Sequence, residues 1–374
     1  MDKPSKKQRL VSLDVFRGAT IAAMIMVNNP GDWGHIYKPL RHAEWHGWTF
    51  TDLIFPFFLF IVGVAIVFAF SGKLEKGVPK KNLYTKIIRR TLILFGLGLF
   101  LNGFPFFNLS TIRIPGVLQR IALCYFVASL VFLHVRIRGQ IAIGAFLLLF
   151  YWALMEWIPV PGIGAGLYEK GANLSNYIDS ILLKGHMWSY TKTWDPEGII
   201  STIPAIVSTM AGMITGHVLR SDRSPTQKAL WMMNTGTIAL LAGSIWSTWL
   251  PVNKSIWTSS YTVLMSGLAL LTLGLVYYYI DVKGRQKGVQ PFLVYGTNAI
   301  TVFVLSGIIA KLTYLIKFDV AGGTTITLKG WIYETFYTSW LPDYTASLAY
   351  SIGYIFFFYL WMLILYKKKI FIKI

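Results

Sequence analysis

Nine stretches of this chain run for 15 to 26 residues without a charged side chain, at about 53–72, 91–112, 121–135, 139–155, 198–219, 229–253, 255–280, 288–310 and 344–366. A segment that crosses the hydrocarbon of a bilayer needs about 20 mostly apolar residues. Within lipid each backbone polar group must be satisfied inside its own segment or a closed barrel, and segments of this length satisfy that as helices. A tenth candidate, near 13–31, carries Asp14 and Arg17 in its first turn. The expectation is an all-α, polytopic membrane protein of about ten spans, forming one domain over residues 1–374. Composition excludes the soluble alternative. Only 14% of residues are charged, against about a quarter in soluble proteins, so a polar shell cannot be built. The basic start followed by an apolar run imitates a leader peptide. Asp14 and Arg17 interrupt that run and no small-x-small cleavage site follows, so we read it as the first span.

The 35 basic residues outnumber the 16 acidic ones, a net charge of +19. If ten spans alternate from a cytoplasmic N-terminus, 23 of the basic residues fall in inner segments and nine in outer ones. That asymmetry is the positive-inside pattern. It predicts both termini in the cytoplasm and assigns the excess charge to topology and anionic lipid, with no nucleic-acid partner. The acids run the other way: eleven lie outside or near outer span ends, among them Asp32, Glu44, Asp52, Asp195 and Glu197. Two long outer loops are expected, 158–197 and 316–343, the second with the turn-prone run Ala321-Gly322-Gly323. Their aromatic residues suit sugar stacking and interfacial anchoring equally. The lone cysteine, Cys124, lies in an apolar run and reads as a small core residue. His134 and His217, at inner helix ends, are expected to be satisfied there.

The densest polar chemistry lies between 28 and 52: Asn28-Asn29-Pro30, His35, the run Arg41-His42-Ala43-Glu44-Trp45-His46-Gly47-Trp48-Thr49, and Asp52 at the mouth of a span. Ionisable groups at a membrane-embedded helix end mark function. Histidine suits acid–base work near neutral pH, a carboxylate beside it fixes its tautomer, and an asparagine amide can donate to a developing oxyanion. The rival readings are a polar cap at the water interface and a metal site. His42 and His46 stand at i, i+4, but Gly47 ends any helix there and no HExxH pattern is present. GxxxxGK[ST], GxSxG and GxGxxG loops are all missing.

These residues resemble a known family. Ser12-Leu13-Asp14-Val15-Phe16-Arg17-Gly18, Val27-Asn28, His42-Ala43-Glu44-Trp45-His46-Gly47-Trp48-Thr49 and Asp52-Leu53-Ile54-Phe55-Pro56 are similar to blocks of the heparan-α-glucosaminide N-acetyltransferase family. So, in the same order, are Ile114-Pro115-Gly116-Val117-Leu118-Gln119-Arg120, Asp195-Pro196-Glu197-Gly198, Pro251-Val252-Asn253-Lys254 with Trp257, and Asp281-Val282-Lys283-Gly284. The likeness runs from about 10 to 310.

The resemblance implies transfer of an acetyl group from cytoplasmic acetyl-CoA to the amine of a terminal glucosamine across the membrane. It implies His42 as the catalytic histidine and Asn28 as the asparagine that polarises the thioester or orients the acceptor. Asp52 or Glu44 orients His42. Arg17, Lys86, Arg89, Arg90 and Arg120 are expected to contact the donor. Glu44, Trp45, Asp195 and Glu197 are expected to face the acceptor. The family resemblance also implies a homodimer; the residues themselves lead us to expect no metal. Animal members carry a luminal domain before this core, so a bacterial relative in the inner membrane is expected, with heparan, a smaller amino sugar or an envelope or scavenged glycan as acceptor. Transfer through an acetyl-histidine and direct transfer both remain open. Two other functions compete: a transporter or channel for a small polar solute, which predicts repeated halves with broken helices, and an acyltransferase with another acyl donor.

Overall fold

The computed structural model describes residues 10–320 and 324–372. It is 68% helical. In chain order the helices are α1 (Val11–Asn28), α2 (Phe50–Leu74), α3 (Lys80–Gly103), α4 (Val117–His134), α5 (Ile137–Trp157), α6 (Leu174–Leu182), α7 (Thr202–Arg220), α8 (Pro225–Trp246), α9 (Ser259–Tyr277), α10 (Gln290–Thr297), α11 (Ala299–Leu315), α12 (Leu328–Tyr333) and α13 (Asp343–Lys367). Seven of these, α1, α2, α4, α5, α7, α13 and α9 with its continuation to Val282, are long and apolar enough to cross a membrane. The chain is an all-α polytopic membrane protein.

Helix α2 is the axis of the bundle. Of its most apolar stretch 72% is buried in protein, against 22% for α5 and 28% for α13, whose outward residues such as Phe146, Phe150 and Trp361 are exposed to what is lipid in a bilayer. Helices α2 and α7 cross with their backbones in contact. A Cβ added at Gly212 would come within 1.8 Å of the Phe60 carbonyl oxygen, and one at Gly63 within 1.8 Å of that of Thr209. Apolar side chains supply no hydrophobic drive between helices in lipid, so small residues that permit close packing do this work. Gly212→Val should therefore cost about 3 kcal/mol or more by overpacking, seen as a lower melting temperature in detergent. Gly96→Ala, where an added methyl meets open space, should melt like the wild type.

Helix α3 begins at Lys80, directly after Pro79, ahead of the charge-free stretch at 91–112, so Lys86, Arg89 and Arg90 ride on its first turns. Two expectations need correction. The expected span 288–310 is broken by an 82° bend between α10 and α11. Both ends of the Asn298 amide hold the C-terminal segment at that bend, Nδ2 donating to the Ile370 carbonyl (3.0 Å) and Oδ1 accepting from the Ile372 N–H (2.9 Å). The 316–343 loop is structured: strands β1 (Lys317–Val320) and β2 (Thr324–Thr327) pair antiparallel with Lys317 opposite Thr327, and α12 follows. The run 321–323 lies outside the described residues. The 158–197 segment likewise contains α6. His134 and His217 are satisfied, by the Tyr84 hydroxyl (2.6 Å) and Gln140 (3.2 Å).

Candidate functional site

The start of α2 organises the site. Thr49 caps the helix and Asp52, in its first turn, completes a capping box. Asp52 Oδ2 accepts from the N–H groups of Thr49 and Ala43, both at 3.0 Å, and from the Thr49 hydroxyl at 3.1 Å. Its other oxygen, Oδ1, lies 2.6 Å from His42 Nδ1. Asp52 is 1% exposed, while the His42 side chain is 52% exposed. A carboxylate at a helix N-terminus, fed by backbone donors, stays ionised. It therefore fixes Nδ1 of His42 as the protonated nitrogen and leaves Nε2 as a lone pair. The segment before α2 is pinned from outside: Gly47, at φ +91°, donates its N–H to the Val252 carbonyl (2.7 Å). Residues 42–46 are irregular, so His42 and His46 do not share a helical face, and His46 instead lies 3.6 Å from Glu169.

His42 opens onto a cavity of about 360 Å³. Glu44, Trp45, Lys254 and Ser255 line it beside His42; Arg113, Trp188, Tyr190, Trp194 and Glu197 line it from the other loops, with Lys170 at the edge. Trp45 packs edge-on against Trp194 at 5.2 Å and donates Nε1–H to the Tyr168 carbonyl at 2.8 Å. Flat aromatic faces beside carboxylates suit a sugar ring with its hydroxyl and amino groups. One wall is an ion network. Arg113 reaches both Asp195 oxygens, through Nε at 2.8 Å and Nη2 at 2.6 Å, and also bonds Glu197. Asp195 further accepts from the N–H groups of Trp188 and Glu197, each at 2.9 Å. Burial alone would raise the Glu197 carboxyl; Arg113, then Lys254 and Arg120, hold it below the usual range. Behind it Asp179 on α6 is pushed up to about 6 by burial, although the Ile199 and Asp195 N–H groups oppose that.

At the other end of the bundle lies a basic cavity of about 410 Å³, lined by Lys73, Lys86, Arg89, Arg90 and Tyr125. A second, largely apolar cavity of about 280 Å³ shares Ala69, Arg90 and Tyr125 with it and runs inward past Phe58, Ile61 and Ile121, with Arg17 on its wall. Arg17 also bonds Asp14 (3.2 Å) and the Gly296 carbonyl (3.2 Å). Among the described residues, the buried Nε of Arg90 has no hydrogen-bond partner.

The sequence-predicted residues thus divide. His42, Asp52, Glu44, Trp45 and Glu197 meet at one cavity or its wall; Arg17, Lys86, Arg89 and Arg90 meet at the other pair. Asp195 lies behind the cavity lining, with its lone pairs taken by Arg113 and two backbone donors, so it positions Arg113 and does not face the cavity. Arg120 does not join the cation cluster. It is fully buried near the His42 cavity, donating Nη2–H to the Gly198 carbonyl (3.0 Å) and to Ser201. Asn28, exposed at the end of α1, opens onto a separate small cavity with Trp33, Tyr314 and Lys329. Sequence reasoning missed Arg113, Lys254 and the Trp188–Trp194 wall as site residues. The paired acids of Asp195-Pro196-Glu197, buried in a loop, were the available signal that a cation had to meet them.

The chain is thus a polytopic helical membrane protein with a histidine backed by a buried carboxylate facing an open cavity at one end, and a basic cavity at the other. The family described as heparan-alpha-glucosaminide N-acetyltransferase, catalytic, matches residues 9–246. The chain is similar to the heparan-alpha-glucosaminide N-acetyltransferase of Homo sapiens, 31% identical over 351 residues, covering 79% of this chain and 52% of that protein. To the enzyme of the same name from Mus musculus it is 29% identical over 355 residues, covering 80% and 53%. The chain spans about half the length of these curated relatives. It belongs to the heparan-alpha-glucosaminide N-acetyltransferase family.

Proposed function

We propose that this chain is a transmembrane acetyltransferase, moving acetyl from acetyl-CoA to the amine of a terminal glucosamine or a similar amino sugar. The observation that carries the reading is the His42–Asp52 pair in an aromatic cavity at the opposite bundle end from a basic cavity. The cations fit a polyphosphate donor: Lys73, Lys86, Arg89 and Arg90 surround one opening, and the partnerless Arg90 Nε is a donor awaiting an acceptor. The apolar cavity beyond them fits an uncharged arm. With both termini in the cytoplasm, as the lysine and arginine asymmetry supports, the donor enters from the cytoplasm and the acceptor from the outer, periplasmic side of a bacterial inner membrane.

In this reading His42 Nε2 takes a proton from the acceptor amine as its nitrogen attacks the thioester carbonyl. The C–N bond forms, the C–S bond breaks, and the thiolate leaves with the proton returned by His42. Lys254 and Ser255 at the cavity wall supply donors to the developing oxyanion. Asn28 lies outside that lining, at the end of α1, and lines a different cavity. Glu44, Glu197 and Trp45 hold the sugar.

The test is transfer of labelled acetyl from acetyl-CoA to glucosamine by the purified protein. Arg90→Gln combined with Lys86→Gln should raise the acetyl-CoA KM about tenfold with kcat nearly unchanged, as loss of uniform binding does. Binding without transfer would point to another acceptor or acyl group. Neither binding nor transfer would favour the transporter reading, to which the bent α10–α11 pair gives its one support.

A further inference from the structure

The His42 cavity and the apolar cavity share no lining residue. Three elements each carry a residue on one cavity, then a residue of a dry partition. On α2, Asp52 holds His42, Phe55 is buried in the partition, and Phe58 lines the apolar cavity. From Asp52 to Phe58 the helix rises roughly 9 Å. On α4, Arg120 lies in the partition and Ile121 on the apolar cavity. In the segment before α9, Lys254 and Ser255 line the His42 cavity and Trp257 lies within the partition.

Trp257 is its centre. It is 0% exposed and its ring meets Phe55 edge-on at 5.0 Å, Tyr261 edge-on at 5.3 Å and the Arg120 guanidinium at 5.2 Å. Its backbone sits at φ +50°, a left-handed conformation that a tryptophan rarely adopts and that accumulates where a segment has to switch. Arg120 beside it spends only Nη2 on protein. Among the described residues, its buried Nε and Nη1 have no hydrogen-bond partner. A buried guanidinium edge without acceptors carries a large desolvation cost unless something polar visits it.

Resting on the acetyl-transfer reading, we infer that Trp257 is the closed gate between the donor and acceptor cavities, and that the free edge of Arg120 receives a carbonyl oxygen of the donor's acyl-bearing arm when Trp257 swings aside. The tryptophan keeps the thioester from water in the open His42 cavity until the arm is drawn through. Arg120 is then a positioning residue for the arm, and Trp257 decides when the two substrates meet.

Cys124 supplies the reporter. It is the chain's only cysteine, it is 0% exposed, and it stands one helical turn from Arg120 on the same face of α4. The full-length protein is treated with methyl methanethiosulfonate, a small neutral thiol reagent, and labelling is followed by mass spectrometry. Wild type should label slowly, Trp257→Ala at least tenfold faster, and Trp257→Phe close to wild type because a ring still fills the gate. Should Trp257→Ala fail to fold, Phe55→Ala opens the same stack from α2 and should give the same acceleration. Folded Trp257→Ala or Phe55→Ala that labels at the wild-type rate overturns the gate. Saturating acetyl-CoA should slow labelling of the opened variant at least fivefold; no slowing at concentrations that saturate transfer overturns the passage of the arm by Arg120. If wild type transfers no acetyl, the acetyl-transfer reading falls, while the labelling contrast still decides whether Trp257 seals the partition.

Discussion

His42→Ala is expected to lower acetyl transfer to glucosamine by about three orders of magnitude, with acetyl-CoA binding retained. A positioned general base contributes about 10²–10⁴, and the donor's cations lie at the far end of the bundle from this side chain. Asp52→Asn should be nearly as damaging, by about 10³, though it replaces a single heavy atom. Asp52 Oδ2 accepts from two N–H groups and one hydroxyl while Oδ1 faces His42. An asparagine can satisfy only one side. With its NH₂ toward Ala43 and Thr49, donors face donors. With its NH₂ toward His42, it donates to Nδ1, the proton moves to Nε2, and the lone pair that takes the amine proton is gone. Kinetics of both variants alongside acetyl-CoA binding check this. Full activity in His42→Ala would remove the base and leave the reaction to another group, and full activity in Asp52→Asn would mean that the tautomer does not matter.

The dyad was legible because its chemistry is local. A carboxylate three residues after a threonine at the start of an apolar run is both a helix cap and an unusual charge, and His42 is only ten residues away. Most span positions were legible for a similar reason, since absence of charge over twenty residues has one physical outlet in lipid. What was not legible is what depends on distant partners. The bend at Asn298 lies in an unbroken apolar run, and the atoms that hold it are 72 and 74 residues further on. Arg113 counted as one outer cation because its carboxylates are 82 and 84 residues away. Asn28 was grouped with His42 by closeness in sequence, yet the end of α1 opens onto a different cavity. Arg120 was expected to contact the donor, but the groups it bonds, the Gly198 carbonyl and the Ser201 hydroxyl, lie 78 and 81 residues further on.

The second large effect belongs to Arg113. Arg113→Gln removes the cation shared by two buried carboxylates, Asp195 at 1% exposure and Glu197 at 9%. Breaking a buried pair from one side costs about 3–5 kcal/mol, because a charge is left without compensation. The loss should appear as a melting temperature lower by several degrees and as faster proteolysis of the 183–201 segment that Arg113 ties to the start of α4. Its pH dependence identifies the cause. In the wild type the Glu197 carboxyl is held below its ordinary value, burial opposing and Arg113 leading the cations that win. Its stabilisation is therefore present above the unfolded value and is lost as pH falls through the folded one. In the variant the sign reverses. Burial without the cation raises the Glu197 carboxyl, so its ionised form destabilises the fold as pH rises through the new folded value. The gap between variant and wild type should be widest at pH 7 and narrow toward pH 4. Asp179, at about 6, makes both proteins lose some stability as pH rises from about 4 to 6, and this shared contribution largely cancels in the difference. Arg113→Lys should fall between the two, since a single ammonium keeps the charge but cannot span both oxygens of Asp195 and still reach Glu197. A gap of equal size at pH 4 and pH 7 would show that Arg113 acts by packing and not by charge.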